Sequence, residues 1–522
     1  MINFCLTNKP NLVNGKWLHK KELKHGTPYT TYCMYLYYDS GVEVIDTPRH
    51  VIVFCGILWQ GKVTNFANNV KQNGIFYAVV INKKSGEVKV INDFMDNFHL
   101  TYYVQAGQFV VTNEICAYSP PRGMYRDSFK RNQQWINWSK LGANLMDAPL
   151  KPNHELHYAP SPSLNKNVTP LEDVKYLGAG NVLELRPQDG QYECSESSFA
   201  NPWFVNDHIG KLFLEKPQHD YQSALATAKQ IISENCERIK EKYGNQLVHF
   251  CSTGIDSLTL QSYLDDVPMY GFCIEKFDQY HEPIELFKKL YHETSGTLHY
   301  FDIETLEDVF NSQLPKIQKT VEYLPAHMMF MHIKDTYKLN DRIIIQGNYG
   351  DDIFWHYRKP VIRHAVHRWG MKDARKIWNR CVPHYGFEGP AIPKSRYAKQ
   401  PRLDEMNKYI SNPCKDFATA MTALRYKNRA GAMEAQYMPN QLIIDPYMDL
   451  RLWSLLPSSD VQTQEASMLD AQLQKDMISS KLRPYLNSYT AGADMLYDSG
   501  FYNQKFKEKI INNLLKNLQA SP

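Results

Sequence analysis

A short polar loop near the middle of the chain separates an apolar run from a segment with helical periodicity. The run is Leu247–Cys251, the loop is Ser252–Ser257 and the helical segment is Leu258–Leu264. A strand, a small polar loop and a helix in this order bring backbone N–H groups together on an anion. The loop adds hydroxyls for phosphate oxygens and the carboxylate of Asp256, which suits Mg²⁺ beside a phosphate. No Gly-Lys-Ser/Thr sequence follows, so it is not a Walker A loop. An ordinary turn that caps a buried helix is the alternative.

This loop resembles the pyrophosphate loop of the ATP-pyrophosphatase enzymes, which usually reads Ser-Gly-Gly-x-Asp-Ser. The resemblance implies that ATP binds here and that Asp256 holds Mg²⁺. The nucleotide contacts that it implies in the loop are Ser252, Thr253, Gly254, Asp256 and Ser257. Thr253 replaces the family's first glycine. Because a β-branched residue favours negative φ and narrows the approach of a phosphate, we expect ATP binding that is retained but weakened.

A second candidate loop follows the predicted strand Arg342–Gln346. Residues 347–354 read Gly-Asn-Tyr-Gly-Asp-Asp-Ile-Phe, which resembles the family's Gly-Glu-Gly-x-Asp-Glu-x-Phe motif. The resemblance assigns Asp351 as the second magnesium ligand and places Gly347 beside the nucleotide. Two carboxylates and Mg²⁺ can hold and neutralise a departing pyrophosphate. An Asn/Gly/Asp turn after a strand is the alternative.

Further matches to the same family lie between and beyond the two loops. In chain order they are Met269–Ile274, Glu282, Leu298–Phe301 and Asp445–Asp449. The first resembles the strand whose backbone edge holds adenine, and it gives Phe272 and Cys273 as nucleotide contacts. The last resembles the family's Pro-Phe-Leu-Asp segment. With the two loops, these matches make the C-terminal half similar to asparagine synthetases, β-lactam synthetases and lasso-peptide cyclases.

The two halves of the chain have different sequence patterns. The first half predicts hairpins, Phe76–Asn82 with Val88–Ile91 and Leu100–Val104 with Phe109–Thr112. After about residue 218, helical segments alternate with short strands, which predicts a parallel α/β sheet. We expect the boundary within Asn206–Gln218, which gives domains of residues 1–210 and 211–522.

The first half resembles the glutaminase domain of asparagine synthetases. The motifs that carry the resemblance are Gly74–Phe76, Asp93, Leu100–Tyr103, Phe109–Ile115 and Gly178–Leu185. They imply an Ntn-hydrolase-like, glutamine amidotransferase-type domain that precedes the parallel-sheet ATP-pyrophosphatase domain. Glutaminases of this family use an N-terminal cysteine as nucleophile. This chain has Ile2 there, and Cys5 lies in a predicted strand interior, so we expect a scaffold domain that supplies no ammonia.

Two departures and one ambiguity concern catalysis. Asn348 stands where asparagine synthetases have a glutamate, and an amide cannot take a proton from an incoming amine. Tyr349 is the candidate replacement, as a tyrosine is in β-lactam synthetases, and a surface tyrosine is the alternative. The resemblance also implies a C-terminal lysine that stabilises the departing pyrophosphate. Lys475 and Lys481 are the candidates, with Lys481 preferred by position and an exposed helical lysine as the alternative for either.

Composition and charge limit the classes of partner that we expect the chain to bind. A net charge of +4 over 522 residues gives no case for nucleic-acid binding. No apolar run reaches the roughly 18 residues of a membrane-spanning helix. The ten cysteines include no Cys-x-x-Cys pair, which favours buried reduced thiols in a cytoplasmic protein over a zinc site or a disulfide scaffold. The oligomeric state stays open, with a homodimer as one option.

The function that these observations imply is an ATP-dependent, AMP-forming, amide-bond-forming ligase. A small-molecule or peptide carboxylate would be activated by ATP and transferred to ammonia or an amine. Three alternatives remain: a glutamine-hydrolysing asparagine synthetase, a catalytically silent binding or structural descendant, and a thiolation enzyme that uses the same loop. The sequence does not identify the acyl substrate.

Overall fold

The structure is a computed structural model. It describes residues 2–10, 13, 17–27, 30–114, 173–198, 219–275, 281–316, 324–354 and 441–486, and the labels below number the described elements in chain order. The predicted boundary at 206–218 lies outside these residues, as does Ile115, and nothing is described of the side chain of Glu282.

The N-terminal region is built from two antiparallel sheets. Its strands are β1 (Phe4–Thr7), β2 (His19–Thr27), β3 (Thr30–Tyr38), β4 (Glu43–Asp46), β5 (His50–Leu58), β6 (Gly74–Asn82), β7 (Val88–Asn92), β8 (Thr101–Gln105), β9 (Gln108–Thr112), β10 (Lys175–Tyr176), β11 (Asn181–Gln188) and β12 (Gln191–Ser198). One six-stranded sheet has the order β10-β8-β9-β1-β3-β2 and the other β12-β11-β7-β6-β5-β4. Both predicted hairpins are confirmed, as β6 with β7 and β8 with β9.

The inner faces of these two sheets enclose the core of this region. Phe4 of β1 stacks on Tyr77 of β6 with ring centroids 4.6 Å apart. Along β1, β5, β6 and β9, alternate residues point into this core, as the two-residue repeat of a strand requires. Cys5 points to the opposite face of β1, where it packs with Tyr103 and Val110.

The C-terminal region contains a parallel sheet with helices, as the alternating pattern predicts. Its elements are α1 (Tyr221–Tyr243), β13 (Leu247–Phe250), α2 (Ile255–Gln261), β14 (Met269–Glu275), α3 (His281–Glu293), β15 (Thr297–Asp302), α4 (Leu306–Gln313), α5 (Leu324–Thr336), β16 (Ile343–Ile345), α6 (Gly350–Ile353), β17 (Ile443–Ile444), α7 (Leu450–Leu455), α8 (Val461–Asp470) and α9 (Gln472–Met477). The five strands have the order β15-β14-β13-β16-β17, and every pairing is parallel. The carboxyl ends of parallel strands lie at one edge of a sheet, so the loops after β13 and β16 start side by side.

The two regions contact each other through side chains. The carbonyl of Gly56 in β5 accepts hydrogen bonds from Lys242 Nζ at 2.9 Å and Tyr243 Oη at 3.0 Å, both at the end of α1. Asn73 Nδ2 donates to Asp449 Oδ1 at 2.8 Å. Among the described residues, no helix is both long enough and apolar enough to cross a membrane.

Candidate functional site

The first loop connects β13 to α2 without any left-handed residue. Gly254 precedes the helix with φ −63° and ψ 150°, and Thr253 is not among the described residues with positive φ. Ser252 Oγ accepts a hydrogen bond from Gly254 N at 3.1 Å and donates one to Ser257 Oγ at 3.2 Å. Thr253 is fully buried. The threonine is therefore accommodated in a conformation that a β-branched residue adopts without strain.

The helix begins earlier than the sequence pattern predicts. It runs from Ile255 to Gln261 rather than from Leu258 to Leu264. Asp256 and Ser257 therefore lie in its first turn, although their polarity is typical of a loop. A negative side chain is favourable at this end of a helix.

The second loop brings its backbone directly against Asp256. A Cβ atom built on Gly350 would lie 2.3 Å from Asp256 Oδ1 and 2.6 Å from its Cγ. No residue with a side chain fits at position 350 while Asp256 keeps this place. Gly350 immediately precedes Asp351, which is half-buried. The structure thus joins the two sequence motifs, although 94 positions separate Asp256 from Gly350 in the chain.

Gln474, which sequence reasoning did not select, completes this contact. It is fully buried on α9, and its Nε2 donates a hydrogen bond to Asp256 Oδ1. Its Oε1 and the Nδ2 of Asn348 are buried polar atoms that find no hydrogen-bond partner within the described part of the chain. Unpartnered buried polar atoms are costly. Their position beside the two loops is where a polar ligand would satisfy them.

Two further residues hold the loops, and sequence reasoning assigned neither of them an individual role. Asp445 Oδ2 accepts the backbone N–H groups of Asn348 at 2.7 Å and Tyr349 at 3.2 Å. The Tyr447 hydroxyl donates to the carbonyl of Asp256 at 2.9 Å. Both belong to the segment that resembles Pro-Phe-Leu-Asp. No local pattern could have revealed their partners, which lie far away in the sequence.

The predicted adenine strand extends past its neighbour. The pairing of β14 with β13 ends at Tyr270 and Phe250, whereas its pairing with β15 continues to Glu275. Phe272 and Cys273 lie in this extension, and their side chains are buried. The pairing with β13 therefore stops short of the two residues predicted to contact the nucleotide.

The carbonyl at the end of β13 is satisfied by a side chain. The buried Tyr291 hydroxyl donates to Cys251 O at 2.6 Å. This hydroxyl occupies the space above Gly271, because a Cβ there would lie 1.9 Å from it. Gly271 is thus a position where close approach requires glycine.

The predicted catalytic residues lie in different surroundings. Tyr349 is 1% exposed and packs in the main apolar cluster, so it is not the surface tyrosine of the alternative. Lys481 is exposed; near it, a hydrogen bond from Tyr485 lowers the pKa of Glu293, and the charge of Lys481 adds to this.

Lys475 is half-buried and follows Gln474 directly. Ala471 and Ile478 pack in one apolar cluster with Ile255 and Leu258 of α2. Lys475 lies on α9 between these two residues.

In the N-terminal region, Cys5 and the motif residue Asp93 are both buried. Cys5 is fully buried within β1, as predicted, and burial raises the pKa of its thiol. Asp93 is also fully buried, and burial raises its pKa to about 6 against the opposing effect of its hydrogen bonds. Those bonds come from Phe76 N, Met95 N and the Asn97 side chain. Neither residue is available to a substrate in this arrangement.

The residues of the two loops fit a magnesium ion that arrives with a phosphate group. Among the described residues, no group of three or more His, Cys, Asp or Glu side chains could hold a metal ion. Mg²⁺ typically takes one or two carboxylates from a protein and completes its shell with substrate phosphates and water. Asp256 and Asp351 would supply that donor set. Gln474, whose Nε2 bonds Asp256 Oδ1, also carries an Oε1 that has no partner among the described residues.

No protein-family model matches the chain, and no curated protein is similar to it at a significant level.

Proposed function

We propose that the chain is an ATP-dependent, AMP-forming ligase that joins a carboxylate to ammonia or an amine, with an asparagine synthetase-like ATP-pyrophosphatase domain. The observation that carries the proposal is the contact between Asp256 and the backbone of Gly350. It unites the two motifs that such an enzyme needs. The parallel sheet supports the proposal because it starts both loops from one edge.

In the proposed reaction, an oxygen of the substrate carboxylate attacks the α-phosphorus of ATP. The bond from that phosphorus to the bridging oxygen breaks, and pyrophosphate leaves with the electron pair. Ser252, Gly254 and Ser257 would contact the phosphates, and Asp256 and Asp351 would hold Mg²⁺. When bound, the ion neutralises charge on the phosphates. Catalysis on this scheme comes mainly from positioning and charge stabilisation.

In the second step, the nitrogen of the nucleophile attacks the acyl carbon, AMP departs, and the nitrogen loses one proton. Tyr349 remains the predicted acceptor of that proton. Of the two lysines, we prefer Lys475 to Lys481, because Lys475 is half-buried and adjoins Gln474, which contacts Asp256, whereas Lys481 is exposed. Its charge would stabilise the departing pyrophosphate.

The N-terminal region is proposed as a degenerate Ntn-hydrolase-like domain that acts as a scaffold. Burial of Cys5 in a strand interior and the full hydrogen bonding of Asp93 support this. The nitrogen donor on this proposal is ammonia or a substrate amine rather than glutamine. Thr253 does not support the alternative of a catalytically silent descendant, because this residue is accommodated without a positive φ. The described cysteines are free thiols, in keeping with the reducing compartment that we propose.

The test is pyrophosphate release from ATP in the presence of Mg²⁺, ammonia and a panel of carboxylic acids, with Asp256→Asn as the control. We expect at least one acid to stimulate release in the wild type and none to do so in the variant. If no acid stimulates release, the chain is a silent descendant and the proposal is wrong. Glutamine hydrolysis by the purified protein would overturn the scaffold role of the N-terminal region.

A further inference from the structure

The segment Asp445–Asp449, here named the junction segment, connects β17 to α7 and contacts both loops, α1 and the N-terminal region. Asp445 and Asp449 are 2% and 0% exposed. Buried carboxylates are stable only when they are hydrogen-bonded, so their partners define what the segment holds in place.

The first residue of the junction segment fixes the second loop. Asp445 accepts the two successive N–H groups of Asn348 and Tyr349 through Oδ2. Its Oδ1 accepts the N–H of Tyr447 at 2.9 Å. Because the loop is held through its backbone, Asp445 sets the direction in which the chain enters α6, which carries Asp351.

The middle of the segment touches both loops at once. The Tyr447 hydroxyl bonds the Asp256 carbonyl. A Cβ built on Gly347 would lie 3.1 Å from Cε2 of the same ring. Tyr447 is fully buried. Its hydroxyl anchors the first loop, and its ring fixes the spacing between the loops.

The far end of the segment is bound by the N-terminal region. The Trp59 indole donates to Met448 O. Asn73 Nδ2 donates to Asp449 Oδ1 at 2.8 Å, while Asn73 Oδ1 accepts the N–H of Leu450 at 3.1 Å. One asparagine of the N-terminal region thus caps the start of α7 from outside.

From these contacts we propose that Asp445 and Tyr447 are positioning residues that set the distance between the two loops. Asn73 and Trp59 make the N-terminal region part of the same support. The inference rests on the proposed function where it says that the loops bind ATP. It goes further because it gives the N-terminal region a definite role, which is to hold the phosphate site in register through the junction segment.

The decisive experiment compares Asn73→Ala with Asn68→Ala by amide hydrogen exchange in the absence of nucleotide. Asn68 is exposed on the same stretch of chain. We expect exchange in residues 346–354 to be about tenfold faster in Asn73→Ala, as the loss of about one buried hydrogen bond predicts. Asn68→Ala should match the wild type. If Asn73→Ala lowers the melting temperature but leaves exchange in 346–354 unchanged, Asn73 has only a local structural role and the proposal is wrong.

A second variant tests the link to the first loop. Tyr447→Phe keeps the ring and removes only the donor to Asp256 O. We expect the KM for ATP to rise about threefold to tenfold with a smaller change in kcat. An unchanged KM would remove Tyr447 from the proposal. Should the wild type fail to bind ATP, the proposed function fails, while the exchange experiment still decides whether the junction segment connects the two regions.

Discussion

Each of the two regions of this molecule contains an aspartate from a recognisable sequence motif, and the two aspartates have opposite surroundings. Asp93 in the N-terminal region is 0% exposed, and donors from its own region surround both its oxygens. Asp256 in the C-terminal region is half-buried beside a bare glycine backbone. Its neighbours Gln474 and Asn348 carry polar atoms that lack partners in the described residues. The first arrangement stabilises a fold, whereas the second leaves hydrogen-bonding capacity for a ligand.

The largest expected effect separates these roles at the C-terminal aspartate. Asp256→Asn retains an oxygen that can accept from Gln474, so the fold should survive, with a melting temperature within about 2 °C of wild type. Substrate-stimulated pyrophosphate release should fall on the order of 10³-fold. If the variant keeps more than a tenth of the activity, Asp256 is not a ligand of the reacting phosphates.

The matching change in the N-terminal region should act on stability alone. Asp93→Ala leaves buried donors of Phe76, Met95 and Asn97 without an acceptor. We expect the free energy of unfolding to fall by about 3 kcal/mol or more, measured by chemical denaturation, with the Kd for ATP unchanged. Glu193→Ala, an exposed position on β12, serves as the control. A large loss of ATP affinity in folded Asp93→Ala would contradict the division of roles.

The pH dependence of stability should carry opposing contributions from the two regions. Burial lowers the pKa of His249 to about 4, against a hydrogen bond with Gln261 that raises it. Between pH 6.5 and 4, His249 is therefore protonated in the unfolded chain but neutral in the native state. The free energy of unfolding falls as the pH falls through this range. The pKa of Asp93 is raised to about 6 in the native state. Between pH 6 and 3.8 Asp93 is therefore protonated in the native state but charged in the unfolded chain, so its contribution to the free energy of unfolding rises as the pH falls.

Each of these contributions is about 3 kcal/mol at most, so they largely cancel between pH 6 and 4. Relative to the wild type, His249→Asn should make the protein lose less stability as the pH falls through this window. Asp93→Asn should make it lose stability more steeply than the wild type. Denaturation curves at several pH values measure both slopes, and parallel slopes for the two variants would refute the assignment.

A smaller effect distinguishes the two lysines within the C-terminal region. Lys475→Ala should reduce pyrophosphate release on the order of 10²-fold, because a positive charge beside the leaving group is lost. Lys481→Ala should change it by less than about twofold, since that side chain is exposed near Glu293. Steady-state rates at saturating ATP provide the comparison, and a reversed order would restore the sequence-based preference for Lys481.

The sequence is a good guide wherever structure depends on local pattern. The hairpins around Ser85 and Gly107 follow from strand-like runs separated by turn residues, and the parallel strands β13 to β16 follow from short strand segments that alternate with helical ones. The sequence pattern places the start of α2 too late because Asp256 and Ser257 are polar in a helix turn that faces the second loop. The contact of Gln474 with Asp256 spans 218 positions, and no local pattern encodes it. Tyr349 lies among Asn and Gly residues typical of a surface turn, yet tertiary packing buries its ring.

The extension of β14 beyond β13 has a consequence for how this strand can change in evolution. Past Tyr270 the strand has no pairing with β13, and the side chains of Phe272 and Cys273 are buried in the apolar interior. Substitutions at these positions are limited by the packing of the core. They do not change the backbone N–H and C=O groups of the strand. Adenine held by this backbone, as the sequence predicts, would be recognised by atoms that every amino acid possesses, so sequence divergence here would be compatible with an unchanged ligand.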